Sequence, residues 1–371
     1  MAKLLLQLTI FITLLASCAK QDNSTVADTT ADEGIKYAQL LSINHGNGFT
    51  EVKIADPWNE GSTLHTYVLV HRDSVVPANV PQGTVVRVPL ERALVYSAVH
   101  TGVMKELGHI GAVAGITDAS YFTDPDMVSA INNETVADCG SSMAPTIEKV
   151  INLRPDGILL SPYQDAAYGQ VTQLGIPIIE CADYMEFTPL GRAEWIKFYG
   201  ELLGERERAD SIFTAVETAY EQCKLNAANA KSKPVVLTET IYNGMWNVPG
   251  GKSYMARLLL DAGADYPWSD NDNTGSLALD FTQVLEKAQN ADVWLIKSYA
   301  IHSLADLEGA YSLNSSFKAF KQGKVYSCDT KATRFFEEFP FHPEILLQEY
   351  TAIFHPEIAK DYQPRYFKPL K

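Results

Sequence analysis

Histidine and serine hydroxyls offer the first chemistry to look for, and the most suggestive pair is His100 with Ser161. A hydrolase would need a third partner, an acid beside the histidine, and nothing in the spacing supplies one. No G-x-S-x-G, C-x-x-C or H-E-x-x-H occurs. Two stretches imitate ligand loops and each fails on one residue. Gly251-Lys252-Ser253 resembles the end of a phosphate loop, but Trp246 stands where the earlier glycine must be. Asp270 to Gly275 begins like a calcium loop, yet its twelfth position is Phe281, where a bidentate glutamate is required. His100 and His302 could share a metal only if the fold brings them together. Cys139, Cys181, Cys223 and Cys328 show no metal-site spacing, and an oxidising compartment would permit but not dictate disulfides among them.

What remains is a set of aromatic, hydroxyl and imidazole side chains in the loops that follow apolar runs: His100, Ser120, Tyr121, Tyr163, Trp246, Tyr299, His302, and Arg334 with Phe335 and Phe336. In open α/β sheets ligands sit beyond the carboxyl ends of the strands, so these are the candidate ligand-binding residues. Aromatic loops with few charges suit a bulky, partly apolar ligand better than a sugar phosphate or a bare metal ion. Arg334, Lys331 and Lys297 are the main basic groups on offer.

The elements that must position these loops can be read from periodicity. Phe49 to Asp56 and Leu64 to His71 alternate as strands around a turn-rich segment and predict a hairpin. Strands are expected at Val85 to Val88, Arg92 to Ser97 and Ile110 to Ile116, with a helix over Thr101 to Leu107. Ile147 to Leu160 reads as a helix running into a continuous apolar strand, and Gln173 to Glu180 repeats the pattern. The alternation returns with strands at Val235 to Thr240 and Val293 to Ile296, helices at Ser253 to Ala262 and Val284 to Ala288, and a terminal helix His342 to His355 before a proline-rich tail. Strands alternating with helices imply parallel sheets covered on both faces. Between the two runs, Ala209, Ile212, Phe213, Val216, Ala219, Tyr220 and Cys223 recur every three or four residues and predict one long helix after Gly204 that ends before Lys233-Pro234. The fold class expected is α/β, two Rossmann-like lobes with largely parallel sheets joined by one long rigid helix.

Composition agrees with two ordinary domains: 371 residues, 46% hydrophobic and 20% charged. A net charge of −15 argues against wrapping nucleic acid. At the N-terminus Lys3 precedes an apolar run, Leu4 to Leu15, too short to span a bilayer comfortably. Its ending, Leu15-Ala16-Ser17-Cys18, resembles a bacterial lipobox, which implies cleavage before Cys18 and lipid on that residue. The expected organisation is a signal peptide 1–17, a flexible tether 18–36, an N-terminal lobe 37–203, a connecting helix 204–232 and a C-terminal lobe 233–371.

Several stretches, taken in order, resemble the periplasmic binding proteins of iron-siderophore, haem and cobalamin importers. They are Val86 to Val99 with Leu107-Gly108, Ile147 to Leu160, Gly175-Ile176-Pro177-Ile178, the helix after Gly204, Ser253 to Gly263, and Phe341-His342-Pro343-Glu344 with His355-Pro356. The resemblance covers most of residues 85–358. It implies a monomeric, lipid-anchored binding subunit with no cofactor and no catalysis, which passes a chelate to an ABC permease and its ATPase. It also implies an acidic residue on top of each lobe that meets arginines of the permease. By position these are Glu148 and Asp261, the second standing where the family usually has glutamate. An iron chelate ranks first as ligand, a corrinoid next and haem behind it. The alternatives are a lipid-anchored hydrolase on the same sheets and a surface glycan-binding protein.

Overall fold

The computed structural model describes residues 34–360 and 362–371, so the signal segment, Cys18 and most of the expected tether lie outside the described residues. The chain is anchored to the first lobe from Lys36 onward. The amides of Lys36, Tyr37 and Ala38 donate to the Glu194 carboxylate, and those of Gln39 and Leu40 to Glu186. Both carboxylates are buried, and the backbone bonds satisfy oxygens that would otherwise be costly to desolvate.

β1 (Leu41–Gly46), β2 (Phe49–Ala55), β3 (Thr63–His71) and β4 (Thr84–Val88) form one sheet in that order. β2 and β3 are the predicted antiparallel hairpin, with Val52 opposite Tyr67, and β4 joins β3 in parallel. The next stretch alternates strand and helix: β5 (Ala93–Val95), α1 (Ala98–Glu106), β6 (Val113–Ile116), α2 (Pro125–Asn132) and β7 (Ala137–Asp138). A small hairpin of β8 (Gly140–Ser141) and β9 (Ala144–Pro145) leads to α3 (Ile147–Leu153), β10 (Gly157–Leu160) and β11 (Ile178–Glu180). The sheet order β11-β10-β5-β6-β7 is parallel throughout. Successive side chains of a strand face opposite ways, so Ala93, Val95 and Leu159 enter one core while Leu94, Ile158 and Leu160 enter another. That is why these strands read as unbroken apolar runs.

α4 (Pro189–Glu194) and α5 (Ile196–Leu203) close the first lobe, and Gly204, in the left-handed region at φ 73°, turns the chain into α6 (Arg206–Ala228). At 1.5 Å per residue α6 is about 34 Å long. Its buried face is Ala209, Phe213, Val216, Tyr220 and Ala227, whereas Ala219, expected on it, is exposed. α6 packs on α4 and α5 at one side and on α7 (Tyr254–Asp261) and α12 (Pro343–Phe354) at the other.

The second lobe is built from β12 (Val236–Thr238), β13 (Ile241–Tyr242), β14 (Met245–Pro249), α7, β15 (Ser276–Leu279), α8 (Phe281–Ala288), β16 (Val293–Lys297), α9 (Leu304–Ala310), α10 (Lys318–Lys321), β17 (Val325–Cys328), the four-residue α11 (Phe335–Glu338), α12 and β18 (Phe367–Pro369). β12, β16 and β17 are parallel, and β13-β14-β15 is a separate antiparallel sheet. The proline-rich tail departs from expectation. Phe367 is buried and β18 pairs antiparallel with β17, a sheet edge where Pro369 is tolerated.

Candidate functional site

Each lobe opens a cavity at the carboxyl ends of its parallel strands. In the second lobe the cavity is about 760 Å³. Glu239 and Thr240 follow β12, Lys297 ends β16 with Tyr299 just beyond, and Phe336 enters from α11. Tyr242, Tyr299 and Phe336 are large side chains left exposed, and the Lys331 ammonium lies 4.1 Å from the centre of the Tyr299 ring. Glu239 and Lys297 are ion-paired. Behind this half, Trp246 is fully buried, stacked 5.6 Å from Trp294, and its indole N–H donates to the Thr238 carbonyl at 2.9 Å.

The first lobe holds a smaller cavity of about 250 Å³, and no charged side chain lines it. Ser97 caps α1 by accepting from the Val99 amide, which leaves Tyr96 and Ser97 at the mouth of β5. The Tyr96 hydroxyl has no bonding partner, and burial pushes its pKa up to about 12. Tyr168 donates to Glu180 at 2.7 Å, and the other Glu180 oxygen is 2.9 Å from His65 Nδ1, so this ring is fixed from behind. Beneath Ser161 lies His100. It is fully buried, with Nδ1 2.6 Å from the Tyr199 hydroxyl and Nε2 3.5 Å from Ser161 Oγ. Burial lowers its pKa to about 4, with nearby Asp183 opposing the shift and Arg192 adding to it, so the ring is neutral at pH 7. A histidine of that basicity whose second nitrogen faces a phenol rather than an acid is not a working base for Ser161.

The two cavities flank one seam. α1 starts at the mouth of the first, α11 carries Phe336 into the second, and α1 packs directly on α11. Gly102 permits the approach: a Cβ there would sit 2.0 Å from the Glu337 carbonyl oxygen. The buried Glu337 carboxylate accepts from the Thr123 and Asp124 amides and the Thr123 hydroxyl. Farther along, His342 Nε2 is 2.7 Å from Glu106 and Nδ1 2.8 Å from Glu344. Burial opposes its charge, but the bonds to Glu106 and Glu344 outweigh it and raise the pKa to about 10.

Of the residues expected from sequence, Tyr163, Tyr299 and Phe336 line the cavities. Trp246 belongs to the core behind one cavity, and His100 to the layer beneath the other, because an indole or imidazole at a strand end can point inward as easily as outward. Ser120 and Tyr121 are exposed on a turn after β6, outside both linings. His302 borders a neighbouring hollow, 3.7 Å from Asp329. Arg334 is spent on Asp124, Glu337 and Glu338 at the seam. Glu148 is exposed in the first turn of α3. Asp261 is not: it accepts from Tyr220 and Arg257 and lies 3.6 Å from Lys224, with 8% of its side chain accessible. Tyr96 was missed because the predicted strand, Arg92 to Ser97, enclosed it, whereas β5 ends at Val95 and leaves Tyr96 in the loop beyond. Tyr242 and Met143 come from short hairpins that no periodicity announces. Among the described residues no group of three or more His, Cys, Asp or Glu side chains is placed to hold a metal ion.

Comparison with known proteins decides the family. The sequence model described as "Periplasmic binding protein" matches residues 95–332. The chain belongs to the periplasmic binding protein family. Family members are substrate-binding proteins rather than enzymes, and the two lobes about α6 are their fold. An uncharacterised lipoprotein of Methanocaldococcus jannaschii is 26% identical over 372 residues, covering 93% of this chain and 87% of its own. Among solved structures, a periplasmic haem binding protein from Pseudomonas aeruginosa superposes with a TM-score of 0.60 at 17% identity, over 76% of this chain and 98% of its own. The Fe3+-hydroxamate transport system protein of Saccharomonospora viridis gives 0.56 at 18%, over 72% and 94%.

Proposed function

We propose that this periplasmic binding protein is a lipid-anchored capture subunit. In this reading Cys18 carries the lipid, lobes spanning 37–203 and 233–371 hold a metal chelate between them, and the chelate passes to an ABC permease driven by its ATPase. The observation that carries the reading is the divided cleft, two cavities at strand ends on either side of the α1–α11 seam, lined by Tyr163, Tyr299 and Phe336. An iron chelate ranks first, then a corrinoid, then haem. Haem ranks last because neither histidine expected near the ligand lines the two cavities, which leaves tyrosine hydroxyls and the Met143 thioether as the axial donors on offer.

A ligand that binds only the folded state raises the melting temperature, by about 2.7 kcal/mol of stability at a hundredfold excess over Kd. Purified mature protein should therefore shift with at least one member of a panel of ferric siderophores, corrinoids and haem; no shift with any of them rejects the reading. For docking, Glu148 is the exposed acid retained as a permease contact, while Asp261 is already neutralised by Arg257 and Lys224. Glu148→Ala should leave chelate affinity intact and weaken permease binding. Equal losses in both would assign the residue to the fold instead.

A further inference from the structure

The charges of the cleft bear on what it can select. Glu239 sits just after β12 with φ 63°, a region that glycine enters freely and other residues only under strain. The conformation is held by its amide donating to Leu295 O at 2.8 Å and its carbonyl accepting from the Trp294 indole at 2.7 Å. Glycine would satisfy both bonds without strain, so the backbone does not explain why a glutamate stands here. Its side chain does: it meets Lys297 on the cavity wall, each side chain about a fifth accessible (21% and 20%). The same wall carries the Asn247 carboxamide and Thr240, whose buried hydroxyl has no partner.

The remaining charges leave no surplus of cations. Arg334 is held at the seam by three carboxylates. Lys331 covers the Tyr299 ring, while Asp306, also on the cavity wall, accepts from the His302 amide. The first-lobe half contributes no charge. A polyanion entering this cleft would give up hydration without meeting a net positive charge to offset the loss. A neutral ligand loses little, and its arms find a carboxylate acceptor and an ammonium donor side by side, each with bonding capacity beyond the ion pair itself.

Building on the chelate reading above, we propose that the Glu239–Lys297 pair makes the cleft selective for chelates of zero net charge whose arms present adjacent donors and acceptors, as hydroxamate and amide groups do. Calorimetric titration with a neutral ferric tris-hydroxamate and a polyanionic ferric tris-catecholate tests this. The native protein should prefer the neutral chelate. Glu239→Gln, which leaves Lys297 unbalanced, should move the affinity ratio toward the anion by roughly tenfold, the scale of one unscreened charge in a partly buried site. The double replacement Glu239→Gln with Lys297→Gln restores neutrality and should restore the native ratio, whatever it does to absolute affinity. Native preference for the anion, or a ratio unmoved by Glu239→Gln, overturns the selectivity proposal while leaving a chelate-binding protein. Binding of neither probe overturns this proposal, and the chelate reading then stands or falls on the corrinoid and haem members of the melting panel.

Discussion

The two halves of the cleft occupy the same station in two parallel sheets, yet they stand on different foundations. Under the first-lobe half lies a polar layer in which His100 meets Tyr199 and Ser161, with Arg192 bonded to Asp183 close by. Behind the second-lobe half lie stacked rings, Trp246 on Trp294 and both against Phe317. A hydrogen-bonded layer fixes a few hydroxyls in direction, and its stability depends on protonation. An aromatic layer gives a stiff, apolar backing whose packing is indifferent to pH. The contrast suits a cleft in which one side orients a ligand and the other supplies most of the contact area.

The largest test of that contrast is Trp246→Ala. Removing a fully buried indole should cost about 3–5 kcal/mol in denaturant unfolding and abolish ligand binding through the second lobe. A cost under about 1 kcal/mol would mean that the rings do not pack as a unit.

Next comes pH. The folded-state pKa of His100, about 4, lies below the ordinary histidine value of 6.5, so the unfolded chain binds the extra proton first. Stability from this group is full above pH 6.5 and declines as pH falls toward 4, by roughly 3 kcal/mol. At the seam the sign reverses. The His342 pKa is raised to about 10, so its contribution is present below pH 6.5 and fades as pH rises through 10. Melting temperature should therefore peak near neutrality, with His100→Leu flattening the acid limb and His342→Gln the alkaline one. An acid limb that survives His100→Leu would detach the polar layer from the pH response.

The smallest effect concerns ligand contact. Tyr299→Ala or Phe336→Ala should each weaken binding by roughly tenfold or more, and Tyr163→Ala by only a few-fold. The reverse order would make the first-lobe half the main contact and sink the division of labour.

Much of this architecture was legible because buried parallel strands and an amphipathic connector leave strong periodic signals. The segment Ile147 to Leu160 and the α6 stripe are examples, and both stand where expected. The strand-end rule located the cleft but could not say which way a side chain points. Tyr299 and Phe336 turn outward, whereas Trp246 and His100 turn inward, and the sequence around them does not differ in a way that separates the cases. Arg334 and Asp261 failed for another reason. Asp124 and Tyr220 are 210 and 41 residues from them, beyond any local pattern, whereas Glu337, Glu338 and Arg257 stand at helical spacing and were a local sign that these charges are spent. The strap at Lys36 to Leu40 was missed likewise, since Glu186 and Glu194 sit about 150 residues downstream.

That strap has a mechanical side. Tyr37 rests edge-on against Phe213 of α6, and Lys36 pairs with Glu217 on the same helix. With a lipid at Cys18, any drag from the bilayer would be shared between the flank of the rod and the α4 end of the first lobe, where Glu186 and Glu194 hold the same strap away from the cavity mouths. The leash would hold the molecule by its spine, leaving the mouth free to turn toward whatever it must meet.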